Sequence, residues 1–313
     1  MPKWIFWFTT WIALVCQTVA MITSVSAAPL SWPQRLRTAP SSRELTLGPV
    51  PRGFVAVDPS DGSLAYSGPS LVKRRLEANQ VRLVVMRHGQ SQSNADSEQQ
   101  GQILLYGQSE SPLTELGREQ ARGCAAELYR QLGGDSWLQQ AMVDPRQLPV
   151  FVSSPVTRAS ESAELLVEHL KERVTALGGP EAASRLAPWL QVHTDPRLLE
   201  SHFGRFETRP LSEVEREFPD FIAHWRPPEG MGTDFRHRFP GGESRSDVMN
   251  RMTSFLDSLA LLYPGRTVCV MGHGESLLGA RAVLGLIPQQ EGKLRAQGGL
   301  QNATPYWLIG QGR

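Results

Sequence analysis

Cysteine is scarce in this chain. Only Cys16, Cys124 and Cys269 occur among 313 residues, and none has the spacing of a metal ligand. This argues against a thiolate metal centre. A disulfide between Cys124 and Cys269 would be compatible with secretion, but these positions fall in a predicted helix and a predicted buried strand. The simpler interpretation is that both are small apolar packing residues.

The chain also lacks a block of charge of either sign. Its 32 Lys and Arg residues and 31 Asp and Glu residues are interspersed, and the formal net charge is +1. Binding to a nucleic-acid backbone needs clustered basic residues, so we expect no nucleic-acid partner. With 40% apolar residues, the composition is ordinary for one soluble domain of about 230 residues with appendages.

Charge is almost absent from residues 1–28. Lys3 precedes an apolar stretch over residues 4–22, and residues 25–29 supply the small side chains that suit cleavage after Ala27. The pattern predicts a signal peptide and an extracytoplasmic or secretory location. The stretch is also close to the roughly 20 residues that span a bilayer, so an uncleaved N-terminal membrane anchor is the alternative. A buried helix of a soluble domain is a weaker third interpretation.

Acidic residues are rare in the next segment, residues 29–52, which is rich in Pro, Ser and Arg. Such a segment buries too little apolar surface to fold, so residues 29–78 are predicted to be a poorly ordered linker or leader. Residues 54–57 and 64–66 could form a hairpin within it. A signal followed by an acid-poor Ser/Arg segment is also typical of a bipartite plastid leader, which is the alternative location.

Three apolar runs end in side chains that suit an anion. They lead, respectively, to Arg87-His88-Gly89, to Gly272-His273-Gly274, and to Ser153-Ser154-Pro155 followed by Arg158. The carboxyl ends of strands in open α/β sheets are where ligands bind, and Gly89 would permit a sharp turn there. Guanidinium groups pair with phosphate oxygens, and a neutral imidazole can attack phosphorus. One such motif can arise by chance, but the three together predict a site for a tetrahedral phosphoryl group.

These motifs belong to six blocks that follow the order of a known family. The blocks are Arg87-His88-Gly89 with Ser91 and Asn94; Gly107 with residues 111–117; residues 153–155 with Arg158, Ala159 and residues 161–163; residues 199–204; residues 239–244; and Gly272-His273-Gly274. The chain resembles the histidine phosphatase superfamily, which includes cofactor-dependent phosphoglycerate mutases and fructose-2,6-bisphosphatase. Gln90 and Gly272 depart from the Glu and Ser that the family often has, but neither position carries the nucleophile.

The resemblance implies a role for each site residue. His88 would attack the phosphoryl group and form phosphohistidine, while Arg87, Arg158 and His273 would surround the non-bridging oxygens. Glu200 would protonate the leaving group and then activate water. Further contacts to phosphate or substrate would come from Asn94, Gly107 and Gly274. No metal and no cofactor is implied, and the expected partner is a small phosphorylated substrate.

The alternation of apolar patterns predicts the fold class. Strands are predicted over residues 81–86, 150–152, 191–193, 267–271 and 305–308, and helices over residues 114–132, 159–177, 246–263 and 275–286. This order predicts an α/β fold, a three-layer α/β/α sandwich with a mainly parallel central sheet, similar to phosphoglycerate mutase. The catalytic domain would span residues 79–313. Within it, residues 207–239 predict a loop-rich cap insertion over the site, with a plain surface excursion as the alternative.

The predicted function is a metal-independent phosphomonoester hydrolase of broad substrate range. Residues 203–207, followed by residues 213–214 and 218–219, resemble the phosphatase branch, whereas His202 and Phe203 resemble the mutase version of this loop. Phosphoglycerate mutase-type transfer therefore stays an alternative, as does a catalytically idle relative that binds a phosphorylated ligand. A metal hydrolase using His88, His202, His237 and His273 is a further alternative, disfavoured because no His-x-x-x-His or carboxylate-rich spacing occurs.

Overall fold

The computed structural model describes residues 80–226, 233–284, 289–290, 293–294 and 300–311. The predicted leader, linker and hairpin over residues 1–78 lie outside these ranges, as do residues 227–232 of the predicted cap. The strands are β1 (Gln80–Arg87), β2 (Val150–Ser153), β3 (Val192–Thr194), β4 (Thr233–Asp234), β5 (Thr267–Gly272), β6 (Gln289–Gln290), β7 (Lys293–Leu294) and β8 (Tyr306–Gln311). The helices are α1 (Gln92–Gln99), α2 (Glu115–Leu132), α3 (Gly134–Val143), α4 (Thr157–Leu186), α5 (Leu211–Glu217), α6 (Pro219–Trp225), α7 (Arg245–Leu262) and α8 (Gly274–Val283).

Five strands form the main sheet, in the order β3-β2-β5-β1-β8. The first four run parallel, and β8 is antiparallel to β1 at the edge. β1 pairs with β5 so that Arg87 lies opposite Gly272, and β2 pairs with β5 so that Ser153 lies opposite Met271. Three strands therefore end at the same edge of the sheet. This register brings the three motifs of the sequence together.

Helices cover both faces of the sheet. Alternate residues of β1, Val84 and Met86, belong to a core that also contains buried apolar residues of α2, α3 and α4. The intervening residues, Leu83 and Val85, are buried on the opposite face, and α7 and α8 also contact β1. Burial on both faces explains why these strands are continuous apolar runs. The predicted three-layer α/β/α sandwich with a mainly parallel sheet is confirmed.

The two cysteines of the described residues are packing residues. Cys124 and Cys269 are both buried and both free thiols. Cys124 Sγ lies 3.7 Å from Met86 Sδ within the core between the sheet and α2. The packing interpretation is confirmed, and the disulfide alternative is wrong.

The predicted helix over residues 114–132 is confirmed as α2, but α3, which follows it directly, was not predicted. Thr114 is the N-cap of α2, as its position indicated, and its Oγ1 accepts a hydrogen bond from the Gly117 N–H at 3.0 Å. Gly133 ends the helix in the left-handed region, at φ 117°. Gly134 then begins α3 at once, so Gly133 is the junction between the two helices.

Two other helices also depart from the prediction. α1 was not predicted because Gln92–Gln99 is polar except for Ala95 and shows no apolar periodicity. α4 extends to Leu186, beyond the predicted end at residue 177, with a break in helical geometry at Gly179, whose φ is 71°. Within the described ranges, no helix combines the length and the apolar character needed to cross a membrane.

The segment predicted as a loop-rich cap contains regular structure where it is described. Residues 207–226 hold α5 and α6, and β4 follows at Thr233–Asp234. With the neighbouring loops these helices form a second apolar core, made of Leu105, Phe203, Phe206, Leu211, Val214, Ile222, Trp225 and Phe239. Each of the two helices has seven residues, too few for a clear helical period in the sequence.

A buried ion pair joins the end of β3 to α7. Arg197 pairs with Asp195 at 2.6 Å, and the two side chains are only 3% and 0% exposed. The same guanidinium group donates to the Ser254 carbonyl and the Ser258 hydroxyl of α7, both at 2.8 Å. These bonds hold the loop that leads from the sheet towards residue 200.

We predict that Arg197→Ala lowers the free energy of unfolding by about 3–5 kcal/mol, because the Asp195 carboxylate would stay buried without its partner. Urea unfolding followed by circular dichroism measures the change. Arg130→Ala is the matched control, since Arg130 and Glu127 form an exposed pair, for which a loss below about 1 kcal/mol is expected. Equal losses in the two variants would contradict a structural role for the buried pair.

Candidate active site

His88 follows β1 directly, and its side chain is buried. Its Nδ1 lies 2.6 Å from the carbonyl oxygen of Gly89. A carbonyl oxygen can only accept a hydrogen bond, so Nδ1 must carry the proton. Nε2 therefore keeps its lone pair, which is the form of the imidazole that attacks an electrophile.

Gly89 is held in place from two sides. Its N–H donates to Ser162 Oγ at 3.0 Å, and that hydroxyl donates in turn to the Arg158 carbonyl at 2.7 Å. A Cβ at residue 89 would overlap the carbonyl oxygen of Gly117 in the first turn of α2. The sequence indicated a glycine for a sharp turn, but the φ of Gly89 is not positive. Glycine is required here because two backbones approach closely.

His273 is the N-cap residue of α8, and its buried ring lies beside His88 with the ring centroids 5.1 Å apart. Its Nε2 lies 2.8 Å from Ser154 Oγ. Its Nδ1 is buried and has no hydrogen-bond partner. Buried polar atoms are nearly always satisfied in proteins, so this nitrogen is a candidate contact for a ligand atom.

Two arginines flank the histidines. Arg158, in the first turn of α4, is buried and donates to the carbonyls of Gly107 at 2.7 Å and Ser109 at 3.0 Å. Arg87 ends β1, and its Nε is buried with no hydrogen-bond partner. Carbonyl partners hold the Arg158 guanidinium group without cancelling its charge. The site is therefore electropositive and suited to an anion.

This environment keeps both histidines neutral. Burial lowers the pKa of His88 well below its usual value, and Arg158 and Arg87 lower it further, against an opposing contribution from the Gly89 carbonyl. Burial and then Arg158 also lower the pKa of His273. Both imidazoles therefore stay neutral at pH values where an ordinary histidine is protonated.

Glu200 is the carboxylate of the site, and it is buried. Its Oε1 accepts hydrogen bonds from the backbone N–H groups of Ser201, Glu275 and Ser276, at 2.9, 3.0 and 3.1 Å. The last two belong to the first turn of α8, so the carboxylate lies at the N-terminus of that helix. One element, α8, thus positions both His273 and Glu200.

The pKa of Glu200 is raised. Burial is the largest cause, and the nearby Glu275 carboxylate raises the pKa further, while the N–H donors of Ser201 and Glu275 and the charge of Arg158 oppose the rise. A raised pKa keeps the carboxyl protonated to a higher pH, which is the property needed in a proton donor.

Asn94 and Gly274 lie where the sequence predicts contacts to phosphate. The Asn94 Oδ1 accepts a hydrogen bond from the Ser91 N–H at 3.2 Å and so caps α1, the helix that begins beside His88. Gly274 is the first residue of α8, and a Cβ there would lie 3.6 Å from Glu200 Oε2. Their contact with a ligand stays a prediction.

Gly107, also predicted to contact phosphate or substrate, forms hydrogen bonds within the protein. Its carbonyl accepts from Arg158, and its N–H donates to Glu207 Oε2 at 3.0 Å. Both backbone groups are therefore used within the protein. Glu207 also accepts from the Gln108 N–H at 3.2 Å and the Ser109 hydroxyl at 2.9 Å, so it holds the loop that positions Arg158.

Three of these positioning residues, Ser154, Ser162 and Glu207, were not predicted as site residues. Ser154 and Ser162 lie in the same sequence block as Arg158, but nothing in the sequence shows that their hydroxyls bond to His273 and Gly89. Glu207 is too far along the chain from Gly107 for their contact to be expected. Only the fold brings these groups together.

The metal-hydrolase alternative requires side chains that are grouped to hold a metal ion. Among the residues that the structure describes, no group of three or more His, Cys, Asp or Glu side chains is arranged to hold a metal ion. His237, one of the four histidines of the metal-hydrolase alternative, stacks on His224 with ring centroids 5.2 Å apart and contacts Phe221. It thus packs against α6.

Comparisons with known proteins agree with this arrangement. A family profile described as "Histidine phosphatase superfamily (branch 1)" matches residues 83–179 and 180–307, which is more than half of the chain. A glucosyl-3-phosphoglycerate phosphatase of Mycolicibacterium vanbaalenii is 29% identical over 74% of this chain and 85% of its own length. A Yersinia enterocolitica protein named "Probable phosphoglycerate mutase GpmB" is 29% identical over 69% of this chain and 80% of its own length.

Solved structures give the same result. A structure named "Mycobacterial hydrolase 2" matches with a TM-score of 0.53 and 26% identity, over 74% of this chain and 83% of that one. "Mycobacterial hydrolase 1" matches with a TM-score of 0.50 and 26% identity, over 73% of this chain and 87% of that one. The fold described above is therefore shared with solved proteins.

We predict that Gly89→Ala lowers kcat/KM at least tenfold, because relief of the overlap with Gly117 displaces the carbonyl that orients His88. Steady-state kinetics on an aryl phosphate measure the loss. Gly123→Ala is the matched control. Gly123 lies in α2, as Gly117 does, but a Cβ added there would have no neighbouring atom within 4 Å. That substitution should leave kcat/KM unchanged, and a similar loss in both variants would contradict the proposed cause.

Proposed function

Because this chain belongs to the histidine phosphatase superfamily (branch 1), we propose that it hydrolyses phosphomonoesters through a phosphohistidine intermediate on His88. Relatives in this family are phosphatases or mutases. One observation carries the proposal: the buried imidazole of His88 donates its only proton to Gly89, which leaves Nε2 as a neutral nucleophile.

In the first half of the reaction, the Nε2 lone pair of His88 forms a bond to phosphorus as the bond from phosphorus to the leaving oxygen breaks. The Glu200 carboxyl gives its proton to that oxygen and becomes a carboxylate. Arg87, Arg158 and His273 bind the non-bridging oxygens and stabilise the charge of the transition state. The alcohol then leaves.

In the second half, the Glu200 carboxylate takes a proton from water as the water oxygen bonds to phosphorus and the N–P bond breaks. Inorganic phosphate leaves, and both residues return to their starting protonation states. Arg87, Arg158 and His273 again stabilise the transferring group, so the proposed cycle uses no metal ion and no cofactor. A hydrolase needs this water step, whereas a mutase must pass the phosphoryl group back to an alcohol.

Hydrolysis is favoured over mutase transfer on two grounds. A relative that matches over 74% of the chain is named as a phosphatase, and the two solved structures are named as hydrolases. We further propose a small phosphorylated substrate and a broad range, with residues 207–239 acting as a cap. Appearance of phosphoglycerate isomers without phosphate release would instead support the mutase alternative.

His88→Ala should abolish hydrolysis of aryl and alkyl phosphates, with a loss of roughly 10³-fold or more, since it removes the nucleophile of a covalent mechanism. Phosphate release measures the rate. His169→Ala is the matched control, because that partly buried histidine packs on Tyr129, in α2. The proposal fails if His88→Ala keeps a tenth of the wild-type turnover.

Glu200→Gln should strongly slow the phosphorylation step with alkyl phosphates, whose alkoxide needs a proton, and spare it with nitrophenyl phosphate. Rapid-quench measurement of that step separates the two substrates. Glu161→Gln, which breaks the 2.7 Å pair with Arg118, should affect neither. Equal losses on both substrates would remove Glu200 from the role of acid. Glu207 and Glu243, the next candidates, are each engaged in structural hydrogen bonds.

Dialysis against a strong chelator should leave turnover unchanged, because Arg87 and Arg158 supply the positive charge that a divalent ion supplies elsewhere, and the neutral His273 adds a hydrogen bond. The measurement is kcat/KM before and after dialysis, with zinc and magnesium added back. Loss of activity that either ion restores would support the metal-hydrolase alternative.

A further inference from the structure

An ion pair beside Glu200 has no role in the reaction as proposed. Glu275 is the second residue of α8, and its carboxylate accepts two hydrogen bonds from Arg245 of α7, at 2.8 and 3.0 Å. Both side chains are mostly buried, with 13% of Arg245 and 21% of Glu275 exposed. Such a bidentate pair is one of the stronger interactions available to charged side chains.

Glu275 contacts Glu200 through its backbone. Its N–H donates to both carboxylate oxygens of Glu200, at 3.0 and 3.1 Å. The orientation of this one residue therefore sets where the acid lies. The Glu275 carboxylate also places a second negative charge beside Glu200, which favours the protonated form of the acid.

Arg245 is fixed from its other side. Its Nη1 donates to the Trp225 carbonyl at 3.0 Å, and its guanidinium group lies 5.6 Å from the centre of the Trp225 ring. Trp225 ends α6 and belongs to the second apolar core. Arg245 is thus held by α6 in the position from which it binds Glu275.

From this geometry we propose that Glu275 and Arg245 are positioning residues that set the protonation of Glu200 by opposite effects. The proposal rests on the proposed function, since Glu200 must be the acid. The Glu275 charge disfavours ionisation of Glu200, and the Arg245 charge limits that effect. Arg87 from β1 and Arg158 from α4 also face Glu200 and favour the carboxylate. Arg251 of α7 donates to the Glu200 carbonyl at 3.2 Å, and its charge is paired with Glu243 at 2.9 Å.

The two partners should shift the pH profile in opposite directions. The rate of the alkyl-phosphate reaction falls as pH rises through the pKa of the acid. Glu275→Gln removes the repelling charge, so this alkaline limb of kcat/KM should move to lower pH, by about one unit. Arg245→Met leaves Glu275 uncompensated, so the limb should move to higher pH. Loss of a purely structural pair would not give opposite signs.

The experiment measures kcat/KM against pH for an alkyl phosphate in the wild type, Glu275→Gln, Arg245→Met and Arg245→Lys. Arg245→Lys keeps the charge and should restore the wild-type limb. Asp135→Asn is the control, because it breaks a 2.6 Å pair with Arg173 on α3 and α4, and its limb should not move. If Arg245→Met fails to fold, the other two variants test the inference. The limb should move to lower pH in Glu275→Gln and stay at its wild-type position in Arg245→Lys.

Four results would overturn the inference. The first is an alkaline limb of kcat/KM that does not move in Glu275→Gln or Arg245→Met, and the second is a shift in the same direction in both variants. The third is a change in KM alone. The fourth is a shift that persists when Glu275→Gln is combined with Glu200→Gln, because the titrating group is then absent. Failure of the proposed function looks different, because the wild type would then form no phosphohistidine. If the wild type hydrolyses phosphomonoesters normally and the limbs of the variants stay in place, only the proposed role of the Glu275–Arg245 pair is refuted.

Discussion

The hydrogen bond from His88 Nδ1–H to the Gly89 carbonyl is the interaction on which this site depends. It selects one tautomer and leaves one nitrogen for bond formation. The rest of the local structure serves that geometry. Ser162 holds the Gly89 N–H, and Gly117 packs so closely that no Cβ fits. The first turn of α2 thus helps to position His88, although it supplies none of the candidate catalytic groups.

Backbone hydrogen bonds also hold the charged side chains around the site. Arg158 is held by carbonyls of the 107–109 loop, and Glu207 holds that loop by accepting from its backbone. The charge of the Arg158 guanidinium group is therefore available to a phosphate, and it also lowers the pKa of both His88 and His273. On the opposite side, burial raises the pKa of Glu200. The two opposite shifts thus favour a neutral imidazole and a protonated carboxyl group in one pocket.

The sequence predicted the elements whose pattern is long and regular. The three strands that end in Arg87, Ser153 and Gly272 were recognised as apolar runs, and parallel pairing explains why their ends meet. The sequence could not predict α1, which is polar, or α5 and α6, which are short. Nor could it predict Ser154 and Ser162, because their importance comes from hydrogen bonds to His273 and Gly89 that only the fold creates.

The predicted signal or anchor over residues 1–28 stays a prediction, as does the secretory or plastid location, because residues 1–79 lie outside the described ranges. The same is true of the cap function for residues 207–239. Its described part has its own apolar core, joined to α7 through Arg245 and Trp225. That contact gives a physical route by which the segment could influence Glu200.

The most direct test of this account is to identify the phosphorylated atom. The protein is quenched during turnover of a phosphomonoester, and the phosphoryl group is located by peptide mass spectrometry and assigned to a ring nitrogen by phosphorus NMR. Because Nδ1 is bound to the Gly89 carbonyl, the account predicts an adduct on Nε2 of His88 that is stable in alkali and lost in acid. An adduct on Nδ1, on another residue, or on no residue at all would contradict it.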